Sequence, residues 1–423
     1  MMKYFSYLVL LPWCVSAANW PAWRGSSGTG VANESGFPTR WTATENVRWK
    51  IPMSEAGNST PVVWGNRVFI TQPLAQEKKR TLMCLDRKNG KLLWQKSVRW
   101  DAPEESHETN PYCSATAVTD GERVIAWYGS AGIHCYDFEG NELWKRDLPK
   151  IDHEWGYGSS PLIEGDLCIL YHGPGKESRL MALNKKTGKT AWEVKDPPMQ
   201  KRARTDGFRG QDSKGTVGTF ASPIIAKGEL IMVYPQLVCA FDPKTGRELW
   251  RCDGLNELIY TSPVAGDGLV VAMGGFLGTT IAVKQGGKGD VTDSHRLWTS
   301  VRTKNRLGSG VIKGGHVYIL NTEGIAECID LKSGKMVWQE RVTAIGPQSS
   351  SWSSMVLAGD NIYVLNQSGD TAILKAAPKF EIVAVNGIGN ELTNASHALS
   401  DGEIFIRTHG HLWCIADTRA AAR

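Results

Sequence analysis

Apolar residues fall in short runs broken by Gly, Asn and Asp throughout the chain. An early stretch shows the form. Pro61 to Val63, Val68 to Ile70 and Leu82 to Leu85 are apolar or alternating, and a turn follows from Asp86 to Gly90 before Lys91 to Trp94. Runs this short, bounded by turn residues, predict strands and almost no helix. Asp86 suits the turn because its carboxylate accepts backbone hydrogens, and Gly90 because it takes a positive φ without strain. The four strands predicted are an inner one at 61–63, a second at 68–70, a third at 82–86 and an outer one at 91–94.

The pattern repeats. Its order recurs from Ser114 to Trp144, Ser159 to Trp192, Ala221 to Trp250, Thr261 to Trp298 and Gly308 to Trp338. A seventh copy runs from Ser353 to about Val383 with an apolar residue in place of Trp, and an eighth starts at Ala395 and stops at Cys414-Ile415. Successive tryptophans mostly lie 40 to 50 residues apart, the length of one four-stranded propeller blade. One column counts the blades. Thr60, Thr116, Ser160, Ser222, Ser262, Ser309, Ser354 and Ser396 put a hydroxyl just before every inner strand. The column reads as inter-blade hydrogen bonding in preference to a ligand-binding ring. The eighth copy lacks an outer strand, and Asn46 to Ile51, with Trp49 in the Trp place, supplies one. The fold expected is therefore all-β: an eight-bladed β-propeller of four-stranded antiparallel blades, its ring closed by the N-terminal strand.

Composition adds 45 Gly and 17 Trp, as many turns and a repeated packing device require. The net charge of +5 is too mild in 423 residues to imply nucleic acid. Lys3, the apolar run from Tyr4 to Val15 and the small residues Ser16 to Ala18 read as a signal peptide, and no later segment could span a membrane. Leu11-Pro12-Trp13-Cys14 competes as a lipoprotein box, opposed by bulky Trp13. The organisation expected is a signal peptide over 1–18, an extension over 19–45, the propeller over 46–416 and a tail over 417–423, in a monomeric protein exported to the periplasm or secreted.

The units Ala182 to Trp192 and Ala240 to Trp250, of the form Ala-apolar-Asn/Asp, then Thr-Gly, then Trp, resemble the pyrroloquinoline-quinone (PQQ) repeat. That repeat builds quinoprotein dehydrogenases and the propeller subunit of the outer-membrane β-barrel assembly machinery. The resemblance covers residues 46 to 416, and Trp20 to Gly25 also resembles the opening of a subgroup of exported bacterial propellers. A dehydrogenase of this kind implies PQQ held between a Trp and a disulfide of adjacent cysteines, with Ca²⁺ and a basic Asp. The chain has nine cysteines but no adjacent pair, and no evident Ca²⁺ cluster. Cys84, Cys135, Cys328 and Cys414 share a column with Ala182 and Ala240, so they read as small buried thiols.

Candidate chemistry gathers on loops from an outer strand to the next inner strand. One carries His107, Glu108, Asn110 and Tyr112, and the next carries His153, Glu154 and Trp155. Together they suit a polar ligand with an apolar face, or brace one another. The insertion from Glu193 to Thr219 is basic, with Arg202, Arg204 and Arg209 placed to cover the same mouth or meet an acidic partner. No Gly-x-Ser-x-Gly elbow or Walker sequence is present, and Lys284 to Gly289 reads as a loop. The function expected is a non-catalytic scaffold without cofactor, binding an envelope protein, peptide or glycan. The alternatives are a PQQ- and Ca²⁺-dependent dehydrogenase and a metal-dependent enzyme built on His107, Glu108, His153 and Glu154.

Overall fold

The computed structural model describes residues 18–205, 217–275, 277–301 and 304–417. The expected signal peptide lies almost wholly outside them, as do Cys14 and Arg209. Eight antiparallel blades form the ring. Seven take their four strands from consecutive chain, within residues 62–99, 118–146, 162–195, 224–253, 264–301, 311–341 and 356–386. The eighth pairs Ala398–Ser400, Glu403–Arg407 and His411–Ile415 with Val47–Pro52. Trp49 lies opposite Cys414 and Pro52 opposite His411 in that closing pair, so the expected closure is present. Two blades gain a fifth strand: Gly289–Asp290 runs parallel to the fourth blade's outer strand, and Val31–Ala32 parallel to the seventh's inner strand.

The repeat columns have physical reasons. Each small residue lies opposite a Trp: Cys84 faces Trp94, Cys135 faces Trp144, Ala182 faces Trp192 and Cys328 faces Trp338. A bulky partner there would displace the indole. The seventh blade inverts the pair, with Ile373 opposite Ala384, and keeps a large residue against a small one. The indole then reaches into the next blade. Trp49 donates to Arg87 O at 2.7 Å, Trp94 to Phe138 O at 2.8 Å and Trp144 to Lys185 O at 2.9 Å. All eight cysteines among the described residues are buried and free.

The hydroxyl column closes a circle. Each backbone N–H donates to the hydroxyl of the next blade, from Thr60 to Thr116 at 2.9 Å, through Ser160 to Ser222 at 2.8 Å and Ser222 to Ser262 at 2.7 Å. The series ends with Ser354 to Ser396 at 3.0 Å and Ser396 back to Thr60 at 3.4 Å. These bonds satisfy buried amides that have no partner within their own blade.

Residues before the closing strand plug the ring at the end where the inner strands finish. Trp20 pairs with Val63 through two 2.9 Å bonds, Pro21 O accepts from Thr119, Ser27 O from Ile225 and Gly30 O from Leu357. The segment thus touches the first, second, fourth and seventh blades. Arg24, 1% exposed, enters the centre and donates to Ser309 O at 2.8 Å, Gly310 O at 2.5 Å and Thr29 O at 2.7 Å. Burial pushes its pKa down to about 9, so it stays protonated at neutral pH, its charge met by carbonyl dipoles.

Candidate functional site

With one end plugged, the channel becomes a cavity of about 370 Å³ opening on the loop face. Trp23, beside Arg24 in the plug, lies at its floor among hydroxyls of the closed circle, including Ser160, Ser222, Ser262, Ser354 and Ser396. Each of these oxygens accepts the neighbouring blade's N–H, and among the described residues their own protons have no acceptor.

The wall comes from a single column, two residues before the hydroxyl in every blade. The side chain there leaves the chain just before the inner strand begins, so it faces the axis above the circle. From the eighth to the third blade the column reads Asn394, Asn58, Ser114 and Gly158. From the fourth to the seventh it reads Phe220, Tyr260, Leu307 and Trp352. One half of the wall is polar or bare and the other is aromatic or aliphatic. Trp155 extends the apolar half, its ring 6.3 Å from Phe220 and 6.1 Å from Tyr260. The polar half is ordered by Thr109 O, which accepts from Asn58 at 2.9 Å and Asn394 at 3.4 Å. Asn58 Oδ1 is buried and has no hydrogen-bond partner among the described residues. No Asp, Glu, Lys or Arg is among the described lining residues; His107 and Tyr260 are the titratable ones.

The two loops singled out in the sequence do meet at this mouth, with their residues divided. His107, Asn110 and Trp155 line the cavity. Asn110 also braces the second loop, donating to Trp155 O at 2.8 Å and Tyr157 O at 3.0 Å. His107 is held by the Thr109 hydroxyl at 2.8 Å. His153 lies edge-on to Phe220 at 5.3 Å, behind the wall, and burial lowers its pKa despite Glu154 and Asp152 nearby. Tyr112 turns away: its hydroxyl donates to Glu104 O at 2.6 Å and its ring carries the Arg80 guanidinium 3.7 Å from its centre. Glu108 and Glu154 are exposed and outside the lining, and no three His, Cys, Asp or Glu converge as metal ligands among the described residues. Arg202 is forked onto Asp253 at 3.0 and 3.1 Å on the fourth blade, and neither it nor Arg204 lines the cavity.

Sequence reasoning passed over Asn58, Phe220, Tyr260, Leu307, Trp352 and Asn394. Counting two positions back from each hydroxyl would have found them.

A family model described as outer membrane protein assembly factor BamB matches residues 31–111, 78–340 and 211–419. The chain belongs to that family. Outer membrane protein assembly factor BamB of Burkholderia pseudomallei is 23% identical over 367 residues, 76% of this chain and 85% of that protein. The quinohemoprotein alcohol dehydrogenase ADH-IIG of Pseudomonas putida is 23% identical over 254 residues, 58% of this chain but only 26% of the dehydrogenase. Among solved structures, BamB from Moraxella catarrhalis superposes with a TM-score of 0.59 at 13% identity, covering 86% of this chain and 95% of its own. A europium-containing methanol dehydrogenase reaches 0.65 at 11% identity, covering 93% and 90%. The BamB family and the dehydrogenases therefore share this fold, and the functional distinction must come from the site.

Proposed function

We propose that the protein is an exported, non-catalytic binding propeller that takes part of an envelope protein, peptide or glycan into its closed cavity. The observation that carries this is the wall itself: all eight blades contribute one residue to a blind, amphipathic pocket with no carboxylate or strong base among its described lining residues. Such a lining orients a ligand and offers little acid–base chemistry. BamB relatives named as assembly factors support a binding role in the envelope, and no helix among the described residues is long and apolar enough to cross a membrane.

The dehydrogenase reading meets this cavity poorly. PQQ carries three carboxylates, and the Ca²⁺ beside it needs several oxygen ligands, anionic ones among them. The described lining offers neither a cation for the quinone nor a carboxylate for the metal. The described lining does not fit the cofactor.

Gly158 gives the experiment. Its place on the wall is held by aromatic residues in three other blades, and a Cβ there meets nothing closer than Phe220 Cδ1 at 3.7 Å. Gly158→Trp should therefore fill the cavity and leave the ring folded. Immobilised protein should retain an envelope component that the Gly158→Trp and Trp352→Ala variants release. Equal capture by all three would place the binding site elsewhere. Dye-linked oxidation of alcohols or aldoses after addition of PQQ and Ca²⁺ would restore the dehydrogenase reading.

A further inference from the structure

We infer that the cavity receives the end of an uncharged saccharide, inserted end-on against Trp23; this rests on the binding role proposed for the same cavity. A pyranose has an apolar C–H face and a rim of hydroxyls, each both donor and acceptor. The two halves of the wall match those two characters. Phe220, Tyr260 and Trp352 offer aromatic surface to C–H groups, whose positive edges favour the electron-rich faces of rings. Across from them, Asn58 and Asn394 line the cavity with amides, each with a second Nδ2 proton beyond the one given to Thr109 O. The floor adds hydroxyl protons from the inter-blade circle.

Charge decides against other polymers. The terminus of a peptide brings an ammonium or a carboxylate, and an acidic sugar or a phosphate brings an anion. None finds an opposite charge among the described lining residues, so entry would strip its water without replacement. A neutral sugar leaves nothing charged behind.

The plug decides the mode of entry. Trp20 to Ala32 bars the far end of the ring, so a polymer cannot thread it. A volume of about 370 Å³ is near the lower end of the ~300–1,000 Å³ spanned by small-molecule sites. Only the last units of a glycan, or a short free one, can reach the floor.

The test uses the mature protein and defined probes: short linear gluco-, manno-, galacto-, xylo- and N-acetylglucosamine oligosaccharides, an oligogalacturonate, a cyclic glucan and uncharged-side-chain peptides. Binding is read by saturation-transfer NMR and calorimetry. At least one neutral linear series should bind, with affinity levelling off after the first few units because only the end is enclosed. The cyclic glucan and the oligogalacturonate should not bind. Trp352→Ala and Asn58→Leu should each weaken the sugar more than tenfold, and Gly158→Trp should abolish its binding, with melting temperatures retained. Absence of binding by every neutral series overturns the inference, as does sugar binding untouched by Gly158→Trp. Peptide binding that Gly158→Trp removes, with no sugar bound, overturns the saccharide and leaves the cavity as the binding site. Capture of an envelope component that Gly158→Trp does not disturb removes both.

Discussion

Alanine at Gly188 should be far more damaging than alanine at Gly165, although both glycines sit in turns of the third blade with positive φ, +69° and +56°. For an L-residue that conformation costs about 1–2 kcal/mol, and both variants incur it. The difference lies in what a methyl group would meet. At Gly165 nothing lies within 4 Å. At Gly188 a Cβ would stand 2.5 Å from Trp144 Cε3 and 2.8 Å from Cδ2, in the indole that the second blade docks on this turn. Either the indole moves, straining its 2.9 Å bond to Lys185 O, or the blades part. Overpacking of this kind adds about 1–3 kcal/mol, so Gly188→Ala should lose roughly 2–5 kcal/mol in all. Urea unfolding of the two variants beside the parent gives the comparison directly. In a Trp144→Leu background the Gly188 penalty should fall to that of Gly165, because the clash is gone. Equal losses at the two glycines in the parent background would refute the docking argument and leave Gly188 needed for its turn alone.

Acid should weaken the fold through two buried histidines. Burial pushes His397 down to about 3 and His172 to about 4, so the folded protein keeps both neutral while the unfolded chain protonates them below its ordinary 6.5. Their contribution to stability should be full above about pH 6.5 and be lost as pH drops towards those values, while the buried Asp196 carboxyl, raised to about 6, acts in the opposite sense; His397→Gln should flatten the histidine part of that slope in pH-dependent urea titrations, and an unchanged slope would discount His397. Removing residues 19–52 deletes both the plug and the eighth blade's outer strand, and a truncated protein melting at the parental temperature would contradict ring closure. Burial holds Cys84 and Cys135 near 12, so the native thiols should be silent to an aromatic disulfide reagent at pH 8, and all eight described cysteines should titrate in denaturant without reductant. A shortfall would reveal a disulfide.

The fold was legible because its contacts recur. A Trp that must face a small residue, a turn glycine beneath an indole and a hydroxyl that caps a neighbour's amide leave the same letters in most blades. The cavity wall obeys the opposite logic. It shares a position and no single residue type: Asn58, Gly158, Phe220 and Trp352 occupy equivalent places and present different surfaces to the cavity. A search for repeated letters passes over such a column, and a search for His-Glu clusters finds its rim. The latter is why His107, Asn110 and Trp155 were seen while Glu108, Tyr112 and Glu154 were grouped with them. The plug left less trace still. Trp20 to Gly25 has no strand period, and the burial of Arg24 depends on carbonyls of Ser309 and Gly310, far along the chain.

The Trp49–Cys414 pairing also sets an order of assembly. Synthesis delivers residues 20–52 first, yet their partners in the seventh and eighth blades are made last. Joining the ends across the whole chain, in place of a single blade, is an eightfold longer loop and costs about 2 kcal/mol more in chain entropy. Until that step the first blade lacks the indole beneath Gly90, and the early strand waits with an unpaired edge, a surface prone to the wrong partner. An open array can lose a terminal repeat and keep the rest. This ring has no terminal repeat to lose: its first and last strands are one latch, and release at that latch frees both ends of the chain and withdraws the floor of the cavity with them.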